Sequence, residues 1–98
     1  NTICNATLEN QEAVRELALK ADVMVIVGGK NSSNTKQLYL IAKNLCKDSY
    51  LIESQNELNS EWVKDKKICG VSAGASTPEW VIQNVIKELE NIDKICNS

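Results

Sequence analysis

The stretch Asp-Val-Met-Val-Ile-Val-Gly-Gly-Lys-Asn-Ser-Ser-Asn, residues 22–34, decides the fold, because an apolar run ends at two glycines and the chain then turns polar. Residues 23–27 are Val, Ile or Met without alternation, a pattern typical of a strand that is covered on both faces of a parallel sheet. The glycines allow a tight turn, and the Asn and Ser residues at 31–34 are types that cap helices. A strand, a short loop and a helix N-terminus in this order form a natural anion site.

The composition is that of one soluble globular domain. The 98 residues are 43% hydrophobic and 24% charged, and a chain of this length buries one modest core. The net charge of −2 argues against nucleic-acid binding, which needs a clustered basic surface. No apolar run is long enough for a membrane span and no signal peptide is recognisable, so we predict a single cytoplasmic domain, residues 1–98. The chain does not begin with Met, which predicts a fragment of something longer.

Helical and strand patterns alternate along the chain. The main predicted elements are, in order, helix 8–20, strand 23–27, helix 35–46, strand 50–52, strand 67–71 and helix 78–91. Thr7 is the expected cap of the first helix, residues 56–63 predict a brief helix or turn, and residues 92–98 predict a tail. This order predicts an α/β fold, a three-layer domain with a small, mainly parallel sheet flanked by helices.

A second loop of small residues, Ser-Ala-Gly-Ala-Ser-Thr at 72–77, also joins a predicted strand to a predicted helix. Ligands of parallel sheets gather beyond the carboxyl ends of the strands, so this loop and loop 31–34 are expected at one rim. Alone, loop 31–34 is explained equally well as a helix cap, but the two loops together favour anion binding. Neither has a nucleotide-binding fingerprint, and Lys30 is the only cation in the first loop, so neutral donors and helix dipoles are expected to dominate.

The cysteines, Cys4, Cys46, Cys69 and Cys96, have no Cys-x-x-Cys spacing, and the chain has no His. A closed zinc site and a Ser/His triad are therefore not expected, and free cytosolic thiols are. Cys4 precedes a predicted helix start, whose positive end favours a thiolate, although an inert small residue is the default interpretation of a lone cysteine. No acid–base pair is visible, so complete catalysis by this chain is not expected.

Three strings in order connect these features to a known family. They are Thr-Ile-Cys-Asn-Ala-Thr at 2–7, Gly-Gly-Lys-Asn-Ser-Ser-Asn-Thr at 28–35 and Ala-Gly-Ala-Ser-Thr-Pro at 73–78. Together they resemble the C-terminal third of the LytB family, the 4-hydroxy-3-methylbut-2-enyl diphosphate reductases. The resemblance runs from Thr2 to about Ile86, and it implies a protein of three similar α/β domains in which this chain is the third.

The resemblance implies an oxidoreductase of isoprenoid biosynthesis, in the methylerythritol phosphate pathway. Such an enzyme reductively removes the hydroxyl of an allylic diphosphate, giving isopentenyl and dimethylallyl diphosphate, at a 4Fe–4S type iron–sulfur cluster held by three cysteines. Cys4 matches one of these metal ligands, and the residues that match diphosphate-binding positions are Ser32, Ser33, Asn34 and Ser76. The implied partners are the missing N-terminal domains and a ferredoxin- or flavodoxin-type electron donor. The resemblance places no catalytic residue in this chain, so the isolated fragment is expected to be inactive.

The family's other cluster cysteines, its histidines and its proton-donating glutamate have no counterpart here, and Asn10 stands where the family often has arginine. We assign those roles to no other Cys or Glu of this chain. Two other interpretations stay open. One is a non-catalytic phospholigand-binding or regulatory α/β module that uses the same two loops. The other is an interaction domain whose apolar helix faces pack against neighbours.

Overall fold

The structure, a computed structural model, describes residues 2–6, 11–63, 68–74 and 77–97. Its elements are, in order, β1 Thr2–Ala6, α1 Gln11–Lys20, β2 Val23–Val27, α2 Ser33–Leu45, β3 Ser49–Ile52, a 3-10 turn Gln55–Glu57, α3 Ser60–Val63, β4 Ile68–Ala73 and α4 Glu79–Asn97. The four strands form one parallel sheet in the order β1-β4-β2-β3.

The core lies on both faces of the sheet, with β2 at its centre. Every residue of β2 is buried, as its unbroken apolar pattern predicts. Val23, Val25 and Val27 pack in a cluster with residues of α4, whereas Met24 and Ile26 pack with residues of α1 and α2. Helices therefore form a layer on each side of the sheet. This arrangement confirms the predicted three-layer α/β fold.

The first strand, β1, was not predicted from the sequence. It pairs with β4 in parallel, with Cys4 opposite Gly70 and Ala6 opposite Ser72. It lies at an edge of the sheet, and its residues Thr-Ile-Cys-Asn-Ala contain no continuous apolar run. The sequence of β1 therefore lacks the unbroken apolar pattern that makes β2 recognisable. The helix that follows is confirmed from Gln11 to Lys20, whereas Thr7 and its predicted cap lie outside the described residues.

The predicted tail at 92–98 is wrong, because α4 continues to Asn97. Val85, Leu89 and Ile92 recur at helical spacing and are all buried in the core, so the apolar stripe extends past the predicted helix end. The brief helix predicted at 56–63 is confirmed as the 3-10 turn and α3. Among the helices that the structure describes, none is both long and apolar enough to cross a membrane.

Candidate functional site

The carboxyl ends of β2 and β4 lie side by side at one rim of the sheet. Val27 and Ala73 are partners in the register, so the loops that follow them start next to each other. The Val27 carbonyl accepts hydrogen bonds from the Gly74 N–H at 3.1 Å and from the Thr77 hydroxyl at 3.0 Å. These bonds tie the second loop to the end of β2 and confirm that the two polar loops share one rim.

Helix α2 begins at this rim with Ser32 as its N-cap. The Ser32 hydroxyl accepts a hydrogen bond from the Thr35 N–H at 3.4 Å, which is long for such a bond. In the turn that follows, Ser33 is exposed and Asn34 is half-buried. Ser32, Ser33 and Asn34 are therefore adjacent at the positive end of the helix, where first-turn N–H groups have no intrahelical acceptor.

Thr35 links the start of α2 to both loops. Its side chain is fully buried, at 0% exposure, against Gly28 of the first loop and Gly74 of the second. A Cβ at Gly28 would lie 2.5 Å from Thr35 Oγ1, and a Cβ at Gly74 would collide with the same oxygen. Glycine is therefore needed at both positions for α2 to approach the two strand ends so closely.

Lys30, the cation of the first loop, is engaged in an ion pair. Its Nζ lies 2.8 Å from Glu57 Oε1, and the Glu53 N–H donates to Glu57 Oε2 at 2.7 Å. The hydrogen bond to Glu57 and the carboxylate charge raise the pKa of Lys30. The Lys30 hydrogen bond, followed by that of the Glu53 N–H, lowers the pKa of Glu57. The pair fastens the first loop to the turn after β3 and neutralises the positive charge of Lys30 locally.

The first turn of α2 differs from that of every other helix in the described part of the chain. An acidic residue stands in the first turn of the others, namely Glu12 in α1, Glu61 in α3, Glu79 in α4 and Glu57 in the 3-10 turn, whereas α2 has none. Acidic side chains at a helix start compensate the positive end of the helix dipole. The N-terminus of α2 lacks this compensation, so it remains available to an external anion.

The thiols of the described residues do not converge. Cys46 is a free thiol in the core beside α1 and α2, whereas Cys69 is buried on the α4 side of the sheet. Cys4 is the central residue of β1 and lies opposite Gly70, before the carboxyl ends of the strands at the rim. Within the described ranges, no group of three or more His, Cys, Asp or Glu is placed to hold a metal ion.

The structure brings together three of the residues that the sequence assigns to the site, Ser32, Ser33 and Asn34. Ser76 lies outside the described residues. Gly74 and Thr77, which come before and after it in the chain, both donate a hydrogen bond to the Val27 carbonyl at the rim. Sequence reasoning missed Thr35, although its spacing from the buried Leu38 and Ala42 of α2 is a signal that it faces the core. It also missed Glu57 as the partner of Lys30, a contact between distant segments that no local pattern indicates.

Comparison with known proteins shows that this chain is similar to one family. The model of the family described as LytB protein matches residues 1–90 of the chain. A 4-hydroxy-3-methylbut-2-enyl diphosphate reductase of Campylobacter fetus is 80% identical over 92 residues, which cover 94% of this chain and 33% of that protein. The reductase of Campylobacter jejuni subsp. doylei is 68% identical over 91 residues, with 93% and 33% covered. The chain thus spans about a third of the length of these curated relatives.

Solved structures agree with this similarity. A structure of (E)-4-hydroxy-3-methyl-but-2-enyl diphosphate reductase, described as the terminal enzyme of the non-mevalonate pathway, matches with a TM-score of 0.81 and 49% identity, covering 83% of this chain and 29% of its own. The E-1-hydroxy-2-methyl-but-2-enyl-4-diphosphate reductase of Plasmodium falciparum matches with a TM-score of 0.71 and 25% identity, covering 85% and 25%. The fold of the chain is therefore that of one part of these larger reductases.

Gly28→Ala and Gly74→Ala are expected to destabilise the chain, because each new methyl group would overlap Thr35. Overpacking of this kind costs about 1–3 kcal/mol in free energy of unfolding, which urea denaturation measures. Gly29→Ala is the matched control, since a Cβ there meets nothing within 4 Å. We expect the control to leave stability unchanged or to raise it by up to ~1 kcal/mol. Equal losses in all three variants would contradict the close contact.

The Lys30–Glu57 pair is expected to give stability a weak pH dependence. The pKa of Glu57 is lowered, so its contribution is present above its ordinary value of 4.5 and is lost as pH falls through the folded-state value. The pKa of Lys30 is raised, so its contribution is present below 10.5 and is lost as pH rises through the folded-state value. Glu57→Gln removes the charge but keeps an acceptor for the Glu53 N–H.

Denaturation of the wild type and Glu57→Gln across pH measures this contribution. We expect a small difference in favour of the wild type between those two limits, and convergence of the two proteins in stronger acid. Because the side chains of Lys30 and Glu57 are 53% and 33% exposed, salt should shrink the difference. A difference that grows in acid would show that the carboxylate is not the stabilising form.

Proposed function

The chain belongs to the LytB family, and on this premise we propose that it is the C-terminal, third domain of a cytoplasmic 4-hydroxy-3-methylbut-2-enyl diphosphate reductase. In the proposed reaction the allylic C–O bond breaks. Two electrons and two protons are taken up, the hydroxyl leaves as water, and isopentenyl or dimethylallyl diphosphate remains. A ferredoxin- or flavodoxin-type protein is the proposed source of the electrons. This domain is proposed to hold the diphosphate group and to provide one ligand of the iron–sulfur cluster.

One observation supports the diphosphate assignment. The N-terminus of α2, which has no acidic residue in its first turn, lies beside the carboxyl end of β4. Ser32, Ser33 and Asn34 lie at that terminus, and its first turn has no acidic residue to compensate the dipole. The loop that contains Ser76 starts beside it, because Gly74 and Thr77 are bonded to the Val27 carbonyl. Hydroxyl, amide and backbone N–H donors from two loops suit an anion with many acceptor oxygens.

Neutral donors carry most of this proposed recognition. Lys30, the cation of the first loop, forms an ion pair with Glu57, so a carboxylate already neutralises its charge. The cap bond from the Thr35 N–H to the Ser32 hydroxyl is long at 3.4 Å, so little is lost when the two groups turn to phosphate oxygens instead. The helix dipole then supplies the favourable field that charged side chains would otherwise provide.

Cys4 is the proposed cluster ligand of this domain. Iron–sulfur clusters are held by thiolates, and a bound cluster would provide the redox centre through which electrons from the donor protein reach the substrate. Cys4 lies in β1 opposite Gly70 of β4, and the chain of β1 runs from there toward the same rim as β4, because the two strands are parallel. Cys46 and Cys69 do not suit this role, because they are buried on opposite sides of the sheet. A single thiol fits a cluster only as a share of a larger ligand set, so the remaining ligands are assigned to the rest of the reductase.

Asn34→Ala is expected to weaken binding of inorganic diphosphate by roughly tenfold or more, since it removes a hydrogen bond to a charged group. Asn44→Ala is the matched control, because Asn44 is an exposed asparagine at the other end of the same helix. Amide NMR titration of the chain gives both affinities and maps the response. The wild type should shift at Ser32 to Thr35 and at Gly74 to Thr77. Absence of any response there, or equal weakening by both variants, would overturn the diphosphate site.

Reconstitution with iron and sulfide tests the cluster assignment. The chain alone is expected to give no stable cluster absorbance, because it offers one suitable thiol. In a complete reductase that contains this domain, Cys4→Ser is expected to lower the bound iron and the cluster absorbance. Cys46→Ser is the control, since its hydroxyl keeps a donor for the Ala21 and Asp48 carbonyls that the Cys46 thiol contacts. A stable cluster on the isolated chain would contradict the assignment of ligands to the rest of the reductase.

A further inference from the structure

Thr35 is a buried polar residue that the proposed diphosphate contacts do not explain. Its side chain is 0% exposed, and Oγ1 has no hydrogen-bond partner within the described part of the chain. A buried hydroxyl without a partner is unfavourable, so its presence calls for a physical reason. The side chain also lies next to Gly28 of the first loop and Gly74 of the second.

The oxygen of Thr35 occupies the space that two glycines leave open. A Cβ built at Gly28 would meet Thr35 Oγ1 at 2.5 Å and Thr35 Cγ2 at 2.9 Å, and a Cβ built at Gly74 would also meet Oγ1 first. A Cβ takes the direction of one Cα hydrogen of glycine, so Oγ1 faces a Cα–H of each loop. Such Cα–H···O contacts are weak but recur where backbones approach closely. The hydroxyl is therefore in contact with both loops at once.

The size of the side-chain group at position 35 that contacts Gly28 and Gly74 sets the separation of the two loops. A methyl group is larger than a hydroxyl, so a valine at this position would push Gly28 and Gly74 away from α2 or from each other. An alanine would leave a gap between them. Gly74 also donates to the Val27 carbonyl, as Thr77 does, so a displacement of Gly74 by the side chain at position 35 would disturb the bonds that hold the second loop.

We propose that Thr35 is a positioning residue, whose hydroxyl fixes the spacing between the donor loops that begin at Gly28 and Gly74. This inference rests on the proposed diphosphate site. A diphosphate that spans both loops needs donors at a fixed separation, and preorganised donors bind more tightly than donors that must be rearranged. Thr35 acts through the loops, since the structure buries its side chain completely.

The test compares Thr35→Val with Thr35→Ser in the full chain, with inorganic diphosphate as the probe. Thr35→Val is expected to shift the amide resonances of Gly28 and Gly74 before any ligand is added, and to weaken diphosphate binding by roughly tenfold. Thr35→Ser keeps the hydroxyl and is expected to bind within about twofold of the wild type. Val14→Ala is the stability control, because it truncates a buried side chain of α1 that lies in the core and outside both loops. It should lower the unfolding midpoint and leave the diphosphate affinity unchanged.

The outcomes distinguish the proposed diphosphate-binding function from the proposed positioning role of Thr35. A wild-type chain that does not respond to diphosphate overturns the proposed function and the positioning role with it. A wild type that binds, with Thr35→Val binding equally well, leaves the function standing and overturns the positioning role. Equal weakening by Val14→Ala shows that general destabilisation is the cause and also overturns it. If Thr35→Val does not fold, Thr35→Ala replaces it, with the same expected weakening and the same contrast to Thr35→Ser.

Discussion

The parallel pairing of β2 with β4 is the constraint on which the rest of the structure depends. It places Val27 beside Ala73, so two loops that are distant in sequence leave the sheet at adjacent points. The same pairing gives the Val27 carbonyl two donors from the second loop. The burial of β2 on both faces fixes this arrangement, because a one-residue shift in register would move its side chains between two different core clusters. The two strand ends at the rim are therefore held in place by the core beneath them.

Two features determine the electrostatics at the rim: the first turn of α2 has no acidic residue, and Lys30 is already paired with Glu57. The other described helices have an acidic residue in their first turn, whereas the first turn of α2 contains Ser33, Asn34 and Thr35 and no acidic residue. Lys30 of the first loop forms an ion pair with Glu57, so the two charges cancel at a distance. The pair holds the first loop against the turn after β3. An anion at α2 thus meets aligned N–H dipoles rather than a cluster of cations. The geometry of the loops, more than their net charge, has to provide the selectivity.

The sequence predicts those parts of the molecule whose physics is local. Neighbouring residues determine the unbroken apolar run of β2, the cap at the start of α2 and the position of the loop after each strand. These features can therefore be predicted from the sequence. The strand β1 escapes prediction, since its residues Thr-Ile-Cys-Asn-Ala contain no continuous apolar run. The extent of α4 depends on Ile92 finding a place in the core, which only the packed structure reveals. The contacts of Thr35 with two glycines are likewise invisible locally, because they join segments brought together by the β2–β4 pairing.

A diphosphate site built from neutral donors has a consequence for how the proposed reaction is catalysed. The diphosphate group is chemically the same in the substrate, the transition state and both products. Contacts to it therefore stabilise all of them to a similar degree and do not by themselves lower the chemical barrier. Their contribution is orientation, because a fixed diphosphate holds the allylic carbon at one distance from the rim. Such contacts must also release the product, and hydroxyl and amide donors hold it less firmly than a cluster of arginines or lysines would. The proposed spacing of the loops, at Gly28, Thr35 and Gly74, is then the property of this domain on which that orientation depends.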